Sequence, residues 1–254
     1  MFDTTTRLEV NVFRGETASV DINQLSGFMI KNRIPVVVTE PSFIEPMVLD
    51  RSRFNGQYKI ICAIDFFDGK HYALEKIRDL MQVAFLADGF DIMITPNRSD
   101  KETLNELRAL TEFFRALNSL KEIRWTLGLR RGSRESIKRA LSHMKKWPAS
   151  YIRTDVNLVS PGIELMNHLD YIAFIRKEIS TPIKVCGNID FQSILALRQK
   201  AARFDVSVMQ ARRIVKSAQN TKSPEVSIES TENKCDKCDK CDKCNCGDKV
   251  KGKL

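Results

Sequence analysis

The chain has 254 residues, a formal net charge of +9, 43% hydrophobic and 29% charged residues. That length fits one large core such as an α/β barrel, which takes roughly 250 residues, and the composition is that of a soluble globular protein. No apolar run reaches the roughly 18 residues that span a bilayer. The opening MFDTTTRLEVNVF shows no basic stretch followed by an apolar one, so a cytoplasmic protein without signal peptide or membrane partner is expected. The positive balance could attract nucleic acid or phosphorylated ligands. The basic residues are spread over helical segments and form no block, so a solvated basic surface is the expectation and nucleic acid is not an expected partner.

Short runs rich in Val and Ile alternate with longer helical patterns along the chain. The strand-like runs are 8–13, 35–39, 59–64, 90–94, 122–127, 150–153, 183–186 and 204–208. Their near-continuous apolar character is that of strands covered on both faces. Between them, Ala73, Ile77, Leu80 and Ala84 form one apolar stripe. Leu104, Leu107, Leu110 and Leu117 form a second, opened by a capping-box pattern of Ser99 with Glu102. Ile137, Ala140, Leu141 and Met144 form a third, with Arg134, Lys138 and Lys145 off it. Strand–helix alternation implies parallel strands with helical crossovers. Eight candidate strands favour an α/β fold closed as a (β/α)8 TIM barrel over 1–219. A polar linker over 220–234 and a low-complexity, disordered Cys-rich tail over 235–254 follow.

In a parallel barrel, functional groups gather where strands end and the following loops begin. That rule selects Asp65, Asp91, Arg153 with Asp155, and Lys184 with Gly187. Asp91 opens the apolar DIMI and Lys184 lies inside IKVC, where an unpaired charge is costly to bury. A lysine near other cations can have a depressed pKa and act as nucleophile or acid–base group. The structural alternative is that Lys184 pairs with Asp91 or Asp155. His71, His143 and His168 fall in or beside helical segments and read as surface residues. Cys62 and Cys186 stand alone in apolar runs and read as buried thiols.

The ordered series VVVTEPSFIEP, KIICAIDFFDGK, ADGFDIMITPNR, YIRTDV and IKVCGNIDFQSILAL resembles the deoxyribose-phosphate aldolase family, from about residue 35 to 217. The resemblance implies a barrel of metal-free class I aldolases, which join acetaldehyde to glyceraldehyde 3-phosphate through a Schiff base. It gives Asp91 the part of the proton-relay aspartate and Lys184 that of the second lysine. The segment that carries the Schiff-base lysine in the family reads Tyr151-Ile152-Arg153-Thr154-Asp155-Val156, so Arg153 occupies the nucleophile's position. A guanidinium stays protonated and offers no amine to a carbonyl. The family's phosphate-binding Gly-Gly pair corresponds to Gly187-Asn188. Its Gly-x-Ser-Ser helix start corresponds to Ser207-Val208-Met209-Gln210, with Arg212 or Arg213 as added charge.

Seven cysteines are present, and Cys235, Cys238, Cys241, Cys244 and Cys246 crowd the end of the chain. A thiolate at every third residue can wrap one soft ion, and four sulfurs satisfy tetrahedral zinc or cuprous copper. An adventitious repeat expansion is the alternative. No cofactor is expected for the barrel itself. Three functional readings stand. One is a divergent barrel that has lost the aldol reaction and serves as a binding, structural or assembly component with protein partners. The second is an enzyme of altered chemistry using Lys184, Asp91 and Asp65 on a small carbonyl or phosphorylated ligand. The third is a working aldolase, a carbon–carbon lyase with Lys184 as nucleophile.

Overall fold

A computed structural model describes residues 4–13, 21–65, 70–117, 121–127, 133–147, 149–155, 161–187 and 189–221. The side chains of 154–155 and 161–168 are not among those described. The chain divides into units Met1–Lys222 and Ser223–Leu254, and all elements below belong to the first.

Among the described residues eight strands and eight α-helices alternate. They are β1 Leu8–Val12, α1 Ile22–Lys31, β2 Val36–Thr39, α2 Pro41–Arg53, β3 Lys59–Ile64, α3 Ala73–Val83, β4 Gly89–Ile94 and α4 Asp100–Ala116. The second half contains β5 Glu122–Leu127, α5 Arg134–Met144, β6 Tyr151–Asp155, α6 Pro161–Glu178, β7 Ile183–Cys186, α7 Phe191–Leu197, β8 Arg203–Ser207 and α8 Val208–Asn220. All strands pair in parallel with their sequence neighbours. β1 closes the barrel against β8 through Val10↔Val206 and against β2 through Val10↔Val37. Residues 8–12 therefore complete the ring, although the family resemblance begins only near residue 35.

Local chemistry sets the helix starts. Asp21, Ser99, Ser133, Asp190 and Ser207 each accept a hydrogen bond from a backbone amide of the first turn, satisfying donors that the helix cannot. The expected Ser99–Glu102 capping box is present. A second box, Ser207 with Gln210, ends β8 one residue earlier than the sequence pattern suggests, because Val208 already belongs to α8. The stripe on α5 buries as expected. Of the α3 stripe, Leu80 and Ala84 are buried and Ile77 packs, partly buried, against the core, while Ala73 is half-buried and Lys76 and Val83 are buried beside them.

Successive strand residues point to opposite faces, and the two faces differ sharply. Leu8, Val10, Ile60, Phe90, Ile92, Leu127, Val185 and Phe204 face the helices in one large core. Phe90 meets Phe114 of α4 with ring centroids 5.4 Å apart. Inside the ring, a small apolar cluster of Phe13, Val36, Val38, Ile61 and Ala63 fills the β2–β3 side. Most of the rest of the interior is polar, as described below. Cys62 and Cys186 are buried, as expected. No described helix is long and apolar enough to cross a membrane.

Two glycines make contrasting predictions. A Cβ at Gly89, the first residue of β4, would stand 2.6 Å from the Glu122 carbonyl oxygen and 2.8 Å from Ile61 Cδ1. Gly89→Ala should therefore cost about 1–3 kcal/mol through overpacking. A Cβ at Gly27, in α1, meets nothing within 4 Å. Gly27→Ala should gain about 0.5–1 kcal/mol from helix propensity. Urea unfolding midpoints of the two variants should move in opposite directions.

Candidate functional site

Six ionisable side chains meet inside the barrel. Glu9 on β1, Asp91 on β4, Arg124 on β5, Arg153 on β6, Lys184 on β7 and Asp205 on β8 are each at most 1% exposed. All come from inward-facing positions, so the strand period itself aims them at one another. Lys184 Nζ lies 2.7 Å from Asp91 Oδ2, 2.9 Å from Glu9 Oε2 and 3.5 Å from Asp205 Oδ2. Arg124 reaches the same Glu9 oxygen at 2.6 Å, and Arg153 Nε is 2.9 Å from Asp205 Oδ2. The three acids and three bases cancel in formal charge. Neutral groups complete the shell: Thr126 donates to Asp91, Asn11 Nδ2 donates to Asp205 Oδ1 at 2.9 Å, and Arg153 donates toward Cys186 Sγ.

The electrostatics fix the protonation states. Burial alone would raise the Asp91 pKa, but the charges of Lys184, Arg153 and Arg124 outweigh it and hold the carboxyl well below the usual carboxylate range. Burial and the Lys184 and Arg124 charges compete in the same way at Glu9, which is also lowered. At Lys184 burial favours the neutral amine, yet Asp91 and Glu9 prevail and the pKa is raised above the ordinary lysine value. The depressed lysine pKa that the sequence allowed is thus not what this environment produces, because carboxylates and not cations are its nearest neighbours. Arg124 is raised likewise, burial being outweighed by Glu9, Glu122 and Asp91.

The other candidates lie elsewhere. Asp65 follows β3 with φ of 56°, a left-handed conformation that aspartate tolerates. Its carboxylate accepts from the Lys70 and His71 amides at 3.2 Å and pairs with Lys76 Nζ at 3.2 Å. Lys76, fully buried, also binds Glu106 and the Met93 carbonyl, and Arg98 pairs with Glu106 while lying 4.6 Å over the Tyr72 ring. These contacts tie α3 and α4 to the ends of β3 and β4, a network separate from the one around Lys184. Gly187, with φ of 144°, ends β7 in a conformation that favours glycine. The Gln210 amide donates to Ser207 Oγ and its Oε1 accepts from the Ser207 amide at 3.1 Å, so the capping box itself uses part of the helix start proposed for phosphate. Arg212 stacks over Phe28, 5.8 Å from its centroid. Asn188, the Asp155 side chain and Cys235, Cys238, Cys241, Cys244 and Cys246 lie outside the described residues. Among the described residues no group of His, Cys, Asp and Glu could hold a metal ion.

The acid–base linkage has a definite sign. The lowered pKa values of Asp91 and Glu9 stabilise the fold above their unfolded values of about 4, and this contribution fades as pH falls through the folded values. The raised Lys184 value stabilises below about 10.4 and fades as pH climbs through the folded value. Stability should therefore hold a plateau between about pH 5 and 10. Lys184→Met leaves two carboxylates buried without their shared cation and should cost roughly 3–5 kcal/mol at pH 7. Urea titrations of both proteins across pH 3 to 11 check this.

Comparison with known proteins places this architecture. No protein-family model matches the chain, and no curated protein does. Solved structures do. A protein from Coccidioides immitis provisionally assigned as a deoxyribose-phosphate aldolase is 15% identical, with a TM-score of 0.70 over 85% of this chain and 86% of its own. QR15, an aldolase, is 19% identical, with a TM-score of 0.69 over 87% of this chain and 98% of its own. The tetrameric deoxyribose phosphate aldolase of Aeropyrum pernix is 12% identical, with a TM-score of 0.67 over 86% and 92%. At such identities the likeness establishes the fold: this chain is a closed (β/α)8 barrel of the kind that deoxyribose-phosphate aldolases adopt.

Proposed function

We propose that this barrel has lost Schiff-base aldol chemistry and serves as a binding or assembly component. The observation that carries this reading is the pairing of Arg153 and Lys184. Arg153 stands where the family resemblance puts the Schiff-base lysine, and its guanidinium has no free amine. Among the described residues Lys184 is the buried lysine of the inner wall, and Asp91 and Glu9 hold it protonated. At pH 7 even an ordinary lysine is neutral in fewer than about one molecule in a thousand. A raised pKa makes the nucleophilic form rarer still. The alternative readings, carbonyl or lyase chemistry with Lys184 acting beside Asp91, need a neutral or mobile Lys184, which this environment opposes.

The outer surface supports an association role. On α3 and the turn after it, Leu74, Met81 and Phe85 are 80%, 64% and 86% exposed. Their spacing of seven and four residues aligns them on one helix face, pointing away from the buried Lys76–Leu80–Val83 side. Large apolar side chains grouped in this way mark interaction surfaces. The Cys-rich tail is proposed as a separate all-thiolate site for zinc or cuprous ion, on the strength of its triplet spacing.

Borohydride reduction with acetaldehyde, glyceraldehyde 3-phosphate and a wider panel of aldehydes and ketones should add no mass at Lys184. A stoichiometric adduct there overturns the loss of Schiff-base chemistry. In sedimentation, the native chain should exceed its 29.1 kDa monomer mass or co-purify with a stoichiometric protein, and Leu74→Glu with Phe85→Glu should abolish this. A native monomer with no partner removes the assembly reading. Deleting 234–254 should remove bound zinc or copper, and equal metal content with and without the tail refutes that site.

A further inference from the structure

The strand starts surround an open cavity at the end of the barrel opposite the one where barrel enzymes keep their active sites. Lys59, Glu122, Tyr151 and Arg203 are the first residues of β3, β5, β6 and β8, and Lys121 and Asp88 directly precede β5 and β4. Together with Arg124 they line a space of about 540 Å³, within the range of small-ligand pockets. Its wall contains four cationic and two acidic side chains, a formal net charge of +2.

The two carboxylates are already occupied. Asp88 Oδ2 accepts from Arg51, which is not part of the wall, and from the Ile60 amide at 2.7 Å. Glu122 is held by Arg124 at 2.7 Å and by Lys59 at 3.0 Å. The cations are positioned differently. Arg203 NH1 donates to the Thr6 carbonyl at 2.7 Å, and Lys121 Nζ donates to the Ala87 carbonyl. For Arg203, the Thr6 carbonyl fixes the side chain in place without cancelling its charge. Lys59 keeps 58% of its side chain exposed, so its pair with Glu122 is of the exposed kind that contributes little. One flat apolar surface completes the wall: the Tyr151 ring, with the Arg124 guanidinium 5.2 Å from its centroid.

We propose that this N-terminal mouth is a binding site for a small organic dianion, a phosphate monoester or a dicarboxylate. Lys59 and Arg203 hold the charged end, and the organic part lies on Tyr151. The site is distinct from the interior cluster around Lys184 and does not depend on whether that cluster is catalytic. Arg124 connects the two regions, because one of its nitrogens binds Glu122 in the mouth and another binds Glu9 beside Lys184.

Calorimetric titration with phenyl phosphate and with succinate, at ionic strength held constant with sodium chloride, tests the proposal on the full chain. At least one probe should bind with a dissociation constant below about 1 mM. Lys59→Gln and Arg203→Gln, both at the surface, should each weaken it about 10-fold, as expected for loss of one charge-assisted contact. Preference for phenyl phosphate over succinate assigns the phosphate class, and the reverse assigns the dicarboxylate class. Backbone amide shifts of Lys121, Ser150 and Tyr151 in 15N-labelled protein should move on titration, with a midpoint about 10-fold higher in Arg203→Gln. Binding that is equal in both variants, or heat that sodium chloride alone reproduces, overturns the site. So does the absence of binding by either probe.

Discussion

The interior of this barrel is organised by a charge balance. Three carboxylates and three cations, all essentially without solvent contact, come from six of the eight strands. Each ion loses several kcal/mol of hydration on burial, and only close opposite charges and hydrogen bonds offset that loss. The strands must therefore hold a register in which Lys184 meets Asp91 and Glu9, and Arg153 meets Asp205. A slip of one residue in β4 or β7 would turn an ion outward into the apolar layer between strands and helices. The apolar cluster of Phe13, Val36, Val38, Ile61 and Ala63 occupies the arc at β2 and β3, so the inner wall is ionic over six strands and hydrocarbon over the other two.

The same balance bears on chemistry. A barrel lysine becomes a nucleophile when its surroundings favour the neutral amine, through burial and neighbouring cations. Burial here is complete, but two carboxylates lie within 3 Å of Nζ and reverse its effect. The cations that could have lowered the pKa, Arg124 and Arg153, are themselves turned toward Glu9 and Asp205. Local geometry thus supports the reading drawn from Arg153, by a route that does not use the family resemblance.

Much of the fold is legible in the sequence. The strands over 59–64, 122–127 and 183–186 have the bounds their apolar runs suggest, because both faces of a parallel strand are covered and the run stops where cover stops. The interior charges are less legible. Asp91 and Lys184 stand out as charges within apolar runs, and the same signal is present at Glu9 in LEVNV, Arg124 in EIRWTL and Asp205 in RFDVS. Flanking polar residues blur it there, and a single charge does not reveal the partner three strands away. Lys76 is hidden for another reason. Its place on the buried side of α3 follows from the pull of Asp65 and Glu106, a tertiary contact that helical periodicity of apolar residues does not register. Conversely, Asp65 is conspicuous in the sequence but belongs to this strut and not to the cluster around Lys184.

The joined charges also constrain how the sequence can drift. Glu9 touches both Arg124 and Lys184, and Asp205 touches both Arg153 and Lys184. Losing any one side chain leaves the dry interior with an unbalanced charge, so single substitutions are costly and paired exchanges less so. In related chains the six positions should change in concert or stay as they are. Asp91 and Lys184 are then held in place by electrostatic entrapment, whatever the barrel's chemistry.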